Sequence, residues 1–488
     1  MSQFYLTIKK YHGVRFTNGN LCSYNEHEVI LMYETELLFD YAKEPSRDIL
    51  CIDCKSFYAS VECADIGKDP LTTELVVMSY PSEDRSQRGS GLILASSPAA
   101  KKAYKISNVS RARDLPFPYP KDLIIVPPRM RLYMEKNKEI NAIYKKYADE
   151  ANHHVYSIDE SFVDVTGSLR LFHFDNARAL AQAIQDDVYN QTGIYTVIGI
   201  GDNPLLAKLA LDNAAKHAAD RIAEWRYKNV PDTVWQIKEL TAFWGIGRRT
   251  AKRLNNMGIY SIYDLAHTNY YELKSRMGII GAQLYAHAWG IDRSFLGETV
   301  KPRSKSIGNS QVLDRDYTKR SEIEIVIREM GDQVATRLRH ANAKAQVISL
   351  WIGFSMGYVD EEGKSSFSQQ MKVPPTHSSK EIIAILLRIF ENHYTNQHVR
   401  NVGVNTGNLI YTDALQLDLF SEPEEQVKNV KVDQVIDTIR RKYGFKSVVR
   451  AVSVMEGGRA IARSSLVGGH AGGMGGLEEG ENHGKKNT

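Results

Sequence analysis

The sequence predicts an α+β protein of several domains, organised around a ferredoxin-like sheet. Three observations carry that expectation: the nearly continuous apolar run DILCIDC at 48–54, a hairpin-like pair of segments at 155–157 and 162–165, and a helix-periodic stretch at 176–189 followed by the β-branched run YTVIGI at 195–200. Apolar runs bounded by charge suit buried strands, whereas apolar residues three and four apart suit one face of a helix. A further helix is expected from Pro204, a favourable first-turn residue, to about Lys216. The resulting order of strand, helix, hairpin, helix and strand is that of the split βαβ unit.

The remaining segments follow from length and punctuation. A chain of 488 residues exceeds what one core ordinarily organises. Residues 1–45 carry neither period nor motif and stand apart as an N-terminal extension of unknown role, with Met32 as an alternative start. An insertion at 71–120, containing LVVMSY and GLILAS, is expected to form a small lobe. Residues 240–300 read as helical, with the Gly245-Ile246-Gly247 turn opening a basic helix. A second α/β unit spans 301–415, with a helix near 322–340 and strands near 346–354 and 399–411. A basic region follows within 416–467, and the Gly-rich 468–488 is expected to be a disordered tail.

Composition excludes some classes. With 43% hydrophobic and 25% charged residues the chain can bury a sizeable core. No apolar run approaches the length needed to span a bilayer, so no membrane partner is expected. Cys22, Cys51, Cys54 and Cys63 include one CxxC, which inside an apolar strand reads as core rather than a zinc or redox site. So few cysteines suit a reducing cytoplasm. The net charge of +4 does not by itself point to nucleic acid, although basic residues cluster at 248–253 and 440–450.

Three acids stand at strand ends: Asp53 after the first strand, and Asp159 and Glu160 in the tight connection of the hairpin. Carboxylates a few Å apart repel or bind protons unless a cation joins them. Magnesium suits oxygen ligands and retains positions for substrate phosphates. A pair of such ions can assist an in-line displacement.

The surrounding motifs carry a resemblance. CIDCKSFYASVE at 51–62 and YSIDESFVDVT at 156–166 resemble the two metal-binding motifs of Y-family translesion DNA polymerases, in the bacterial UmuC/ImpB/MucB/SamB branch. NPLLAKLALDNAAK at 203–216, LTAFWGIGRRTAKRLNNMGIYSIYDL at 240–265 and VRNVGVNTGNLI at 399–410 resemble further family segments, so that the likeness covers about 48–420. It implies a right-hand polymerase with a ferredoxin-like palm at 46–70 and 121–239, small fingers at 71–120, a helix-hairpin-helix thumb at 240–300 and an α/β little finger at 301–415.

The resemblance also implies roles. Asp53, Asp159, Glu160 and the main-chain carbonyl of Cys54 would hold two Mg2+ ions, and Tyr58 would be the steric gate against ribose, with Phe57 beside it. Ser96, Lys101, Lys102 and Lys216 are the candidates for contacting the deoxynucleoside triphosphate. This chain departs from the common pattern at Pro98, at Lys55 and in the length of the helix before Lys216. Gly245 and Gly247 would offer backbone N–H groups to a phosphate of primer-template DNA, and Arg248, Arg249 and Lys252 would attract the duplex without reading sequence. Gln416, Leu417, Leu419 and Phe420 resemble a bacterial sliding-clamp-binding peptide. The expected function is low-fidelity, template-directed translesion synthesis in DNA damage tolerance. A non-catalytic DNA- and clamp-binding scaffold and a template-independent nucleotidyl cyclase are the alternatives. Participation of accessory damage-response subunits stays open, as does the role of 428–463.

Overall fold

The computed structural model describes residues 39–78, 91–107, 110–298, 305–412, 423–464, 466–467 and 470–471. The clamp-type residues Gln416, Leu417, Leu419 and Phe420, Cys22 and Met32, and nearly all of the Gly-rich tail lie outside the described residues. The principal strands are β1 (Ile49–Cys54), β2 (Leu75–Met78), β3 (Ile93–Ser96), β4 (Ile124–Val126), β5 (His153–Val155), β6 (Glu160–Asp164), β7 (Thr196–Gly201), β8 (Ile222–Trp225), β9 (Ile307–Tyr317), β10 (Ala343–Phe354), β11 (Ser366–Thr376) and β12 (Val399–Gly407). The principal helices are α1 (Phe57–Asp65), α2 (Pro98–Tyr104), α3 (Met130–Tyr144), α4 (Ala177–Thr192), α5 (Pro204–Asn213), α6 (Arg248–Asn255), α7 (Arg320–His340), α8 (Ser379–His393) and α9 (Pro423–Tyr443). The described residues divide into two compact units, one formed from those within 39–54, 143–189 and 196–298 and the other from those within 55–142, 190–195 and 305–471.

The first unit holds a five-stranded sheet in the order β5-β6-β1-β7-β8. β1 is antiparallel to both β6 and β7, and β8 lies parallel to β7 at the edge. Without β8 this is the strand order of the split βαβ unit, as the sequence predicts. β1 is central because Ile49, Leu50, Cys51 and Ile52 are wholly buried. β7 contains Gly199 and Gly201, where a Cβ would come within 2.1 Å of the Ala207 carbonyl oxygen and 2.3 Å of the Ala207 backbone nitrogen. α5 therefore lies flush on the sheet, at a spacing only glycine allows.

α5 begins as expected, with Pro204 in its first turn and Asn203 accepting a hydrogen bond from the Leu206 N–H. It ends earlier than the sequence predicts. Ala214 leaves helical geometry at φ −134°, ψ −56°, and Ala215–His217 form a 3₁₀ turn that carries Lys216. A second core in this unit gathers Leu205, Leu209, Val230, Leu240, Phe243, Ile246, Leu254, Leu265 and Tyr285. Phe39 and Tyr41 pack against it, and the Tyr41 hydroxyl donates to the Trp289 carbonyl at 2.9 Å. The chain from residue 39 is thus part of this unit, although the sequence assigns everything before residue 46 to an extension.

The second unit contains a small sheet, β3-β2-β4, and a four-stranded antiparallel sheet, β11-β10-β12-β9. β4 pairs in parallel with β2, so the small sheet reaches past residue 120. The larger sheet packs Ile348, Leu350, Ile352, Val402 and Val404 against Val326, Met330, Val334, Leu386 and Phe390 of α7 and α8. β11 carries Pro374 and Pro375, which an edge strand tolerates because it has a ladder on one side only.

α9 and the residues after it add a layer on α7. Unusually, α9 buries Asp433, Asp437 and Arg440 while leaving Val432 and Val435 exposed. Arg339 of α7 donates to Asp437 at 2.5 and 3.0 Å and to Asp433 at 3.1 Å, and Asp433 also accepts from the Ser379 N–H at 2.9 Å. Asp332 of α7 accepts from Arg440 at 2.9 Å and from Arg450 at 2.6 Å. Glu329 accepts from the backbone N–H groups of Arg459 and Ala460, each at 2.9 Å. The region 428–463, which the sequence leaves without a role, is therefore an ordered part of this unit, fastened by ions rather than by oil.

Candidate active site

The acids of the first unit are placed by strand register. Asp53 of β1 lies directly opposite Glu160 of β6. Glu160 is the first residue of its strand rather than part of the turn, because its carbonyl receives both the Tyr156 and Ser157 N–H groups at 2.9 Å and closes the connection before it. Ser157 organises that turn, donating its hydroxyl to Asp159 Oδ1 at 2.7 Å and accepting from the Glu160 N–H at 3.1 Å. The Asp159 carbonyl accepts from the Cys54 N–H at 2.9 Å, which ties the hairpin to the end of β1.

Two lysines from the α5 region reach these acids. Lys208 Nζ lies 2.8 Å from Glu160 Oε1 and 3.0 Å from Asp212 Oδ2, and Lys216 Nζ lies 3.2 Å from Asp53 Oδ2 and 2.7 Å from Asp212 Oδ1. Burial raises the Asp53 pKa to about 6; Lys216 opposes that rise, while Asp159 and Glu160 add to it. Burial disfavours the charged form of Lys208, but Cys51, Glu160 and Asp212 outweigh it and raise its pKa. Lys216 is raised in the same way against burial, by Asp53 and Asp212. Cys51 donates its thiol to Glu160 Oε1 at 3.0 Å, and burial followed by the Glu160 charge holds that thiol protonated. Cys51 and Cys54 are buried and free, as the core reading of the CxxC expects.

Among the described residues no group of three histidines, cysteines or acids converges into a ready cation cage. The sequence expects Asp53, Asp159 and Glu160 to gather; the structure sets Asp53 against Glu160 in register and ties Asp159 to β1, with ammonium groups compensating two of the three. The donor chemistry nevertheless suits magnesium, because every candidate ligand is a hard oxygen, and beyond the rise that burial gives Asp53, Asp159 and Glu160 add a further rise that a dication would offset.

The gate candidate belongs to the second unit. Tyr58 of α1 stacks on Tyr133 of α3, with centroids 4.4 Å apart and planes 14° from parallel. Tyr133 is itself fixed, its hydroxyl donating to Glu62 at 2.6 Å while Arg129 donates to both Glu62 oxygens at 3.1 Å. Phe57 is buried beside Tyr58. Ser56, at the start of α1, adopts the left-handed conformation at φ 51°, ψ 46°, and its hydroxyl accepts from Lys101 Nζ at 3.0 Å. Left-handed backbone at a non-glycine residue costs energy and concentrates at functional sites. Lys102 is exposed. Ser96 is wholly buried, with no hydrogen-bond partner for its hydroxyl among the described residues. Its neighbour Ser97 caps α2 instead, accepting from the Ala100 N–H at 3.1 Å.

The thumb-like turn takes the expected form. Gly245 has φ +94°, Gly247 precedes α6 without a side-chain cap, and Arg248, Arg249 and Lys252 are exposed. Sequence reasoning missed Lys208, Asp212, Tyr133, Glu62 and Arg129. For the first two a signal existed, since Lys208, Asp212 and Lys216 recur at intervals of four.

Comparison with known proteins gives the class. The impB/mucB/samB family matches residues 52–212, and its C-terminal domain matches residues 304–419. The chain belongs to this family, a branch of the Y-family DNA polymerases. A Bacillus subtilis (strain 168) relative described as putative UV-damage repair protein UvrX is 39% identical over 435 residues, covering 89% of this chain and 100% of the relative. DNA polymerase IV 2 of the same organism is 33% identical over 424 residues, covering 86% of this chain and 98% of the relative. The fold matches a solved Y-family DNA polymerase chimera, Dbh-Dpo4(243-245)-Dbh, with a TM-score of 0.58 at 22% identity, covering 75% of this chain and 100% of that one.

Proposed function

We propose that this polymerase copies DNA past damaged template bases by two-metal nucleotidyl transfer, with low fidelity, as part of a cytoplasmic DNA-damage response. The observation that carries the reading is the register of Asp53 against Glu160, with Asp159 tied beside them. The relatives named for UV-damage repair and for DNA polymerase IV support the biological setting. Asp53, Asp159, Glu160 and the Cys54 carbonyl would hold two Mg2+ ions. When bound, such ions lower the cost of attack by a primer 3′-hydroxyl on an α-phosphate and of pyrophosphate departure.

The chain's own groups do the rest. Lys216 and Lys101 attract the triphosphate of the incoming deoxynucleotide, and Ser96 and Lys102 are the secondary candidates. The Tyr58 ring, backed by Tyr133, excludes a 2′-hydroxyl. The Gly245–Gly247 turn and Arg248, Arg249 and Lys252 bind primer-template phosphates without reading bases. The palm, fingers, thumb and little finger would follow the boundaries expected from the sequence, the small sheet extending to β4. Gln416, Leu417, Leu419 and Phe420 would recruit a sliding clamp.

Single-nucleotide incorporation opposite intact and abasic template positions tests the proposal. The parent should extend on both templates. Asp159→Asn should lose incorporation by at least about a thousandfold while primer-template affinity changes little, because DNA affinity comes mainly from basic groups elsewhere. In parallel arms, Tyr58→Ala should admit ribonucleotides, and Leu419→Ala with Phe420→Ala should remove only the stimulation given by a loaded clamp. Undiminished extension by Asp159→Asn would remove the central assignment.

A further inference from the structure

Five charged groups of the first unit form an alternating chain that begins and ends on a catalytic acid: Glu160, Lys208, Asp212, Lys216, Asp53. Its middle member, Asp212, is used by nothing in the reaction described above. On an exposed helix, a lysine, an acid and a lysine at intervals of four would be ordinary pairs worth a few tenths of a kcal/mol each. This chain is different in placement. The side chains of Lys208 and Glu160 are only 9% and 11% exposed, and each lysine touches one acid that metal chemistry needs and one that it does not.

We propose that Asp212 is a positioning residue that gives Lys208 and Lys216 an anionic partner of their own, so that both ammonium groups can leave Glu160 and Asp53 to metal ions without being stranded. The geometry is suited to this. One carboxylate takes both lysines: Lys216 lies 2.7 Å from Oδ1, and Lys208 straddles the group, 3.0 Å from Oδ2 and 3.2 Å from Oδ1. An ammonium is a compact point charge on a flexible stem and can shift its share between two acceptors by a small rotation. A buried lysine deprived of its second acceptor would instead be confined to the catalytic acid, because an unpaired buried charge is costly. Without Asp212, Lys208 therefore competes with cations for the Glu160 oxygens, and Lys216, whose side chain is 39% exposed, competes less strongly for those of Asp53 because water can also hold it.

This inference rests on the two-metal reading, and the test separates the two. Mn2+ binding is measured by electron paramagnetic resonance on the full chain bound to a primer-template whose primer lacks its 3′-hydroxyl, so that no turnover occurs. Asp212→Asn, which keeps the shape and removes the charge, should weaken Mn2+ binding about tenfold, or about 1.4 kcal/mol. Its melting temperature and primer-template affinity should match the parent, and Asp212→Glu should recover most of the metal affinity. Lys208→Met should change Mn2+ binding little alone but restore much of it in the Asp212→Asn background, since the acid acts through the lysine. Unaltered Mn2+ affinity in Asp212→Asn, or strictly additive effects of the two substitutions, would overturn the proposal; additivity is what a remote charge gives. Undiminished Mn2+ binding by Asp159→Asn would instead overturn the metal reading beneath it.

Discussion

Both units set carboxylates against cations, half-buried in the first and buried in the second, but they choose different cations. The five-stranded sheet pairs its acids with lysines, Lys208 and Lys216, each shared between two acceptors. The layer formed by α9 pairs its acids with arginines, and Arg339 alone engages Asp433 and both oxygens of Asp437. A guanidinium is planar, always charged and matched to a carboxylate in two bonds at once, whereas an ammonium holds no fixed direction. Arginine therefore suits a permanent joint, and lysine suits a site whose acids must change partners. On the proposed reading of the site, the difference separates fastening from chemistry in a way that the total charge of neither region would reveal.

That distinction can be broken most forcefully at the joint. Arg339→Met would leave Asp433 and Asp437 buried without their cation, at a cost of about 3 to 5 kcal/mol. Urea unfolding of the full chain, together with protease sensitivity of 423–463, measures this; a loss below about 1 kcal/mol would show that the ionic layer is not a fastening. A smaller effect is expected from Lys208→Arg. The fork should grip Glu160 more firmly and slow single-turnover incorporation about tenfold, or about 1.4 kcal/mol, although net charge is unchanged. An arginine variant as fast as the parent would erase the contrast between the two regions.

The smallest effect is one of pH. Burial raises the Asp332 pKa, but Arg450 and Arg440 outweigh that rise and hold the carboxyl below its usual range. A depressed acid contributes stability above its unfolded pKa, about 3.9, and loses it as pH falls through the lower folded value. The protection of 445–463 against hydrogen exchange, taken relative to the intrinsic rate at each pH, should thus be unchanged between pH 7 and 5 and fall below about pH 4. A fall already at pH 5 would assign the joint to other groups.

How far the sequence led depends on the range of the interactions involved. β1, the hairpin and α5 were legible because their apolar runs and Pro204 act locally, and Asp53, Asp159 and Glu160 sit at fixed offsets from those runs. The true end of α5 was not legible, because Ala214 and Ala215 are good helix formers; one of the two ion pairs that place Lys216 reaches outside the helix, to Asp53. Nothing local pairs Lys208 with Glu160, because the acid it meets stands on a strand remote in the chain. β11 escaped notice because an edge strand with two prolines carries little apolar periodicity. The layer on α7 was the least legible of all. The partners of Asp332 and Glu329, which are Arg440, Arg450, Arg459 and Ala460, come more than a hundred residues later.

The bare faces of Gly199 and Gly201 have a mechanical consequence. They set the gap between β7 and α5, and Lys208 rides on that helix while Lys216 follows directly after it. A methyl group at either glycine would act as a shim against the backbone around Leu206, Ala207 and Leu211, where no flexible side-chain tip could yield, and would lift the helix. Both ammonium groups would move off Glu160 and Asp53 together while staying with Asp212, so two missing methyl groups set the alignment of charges carried by other residues.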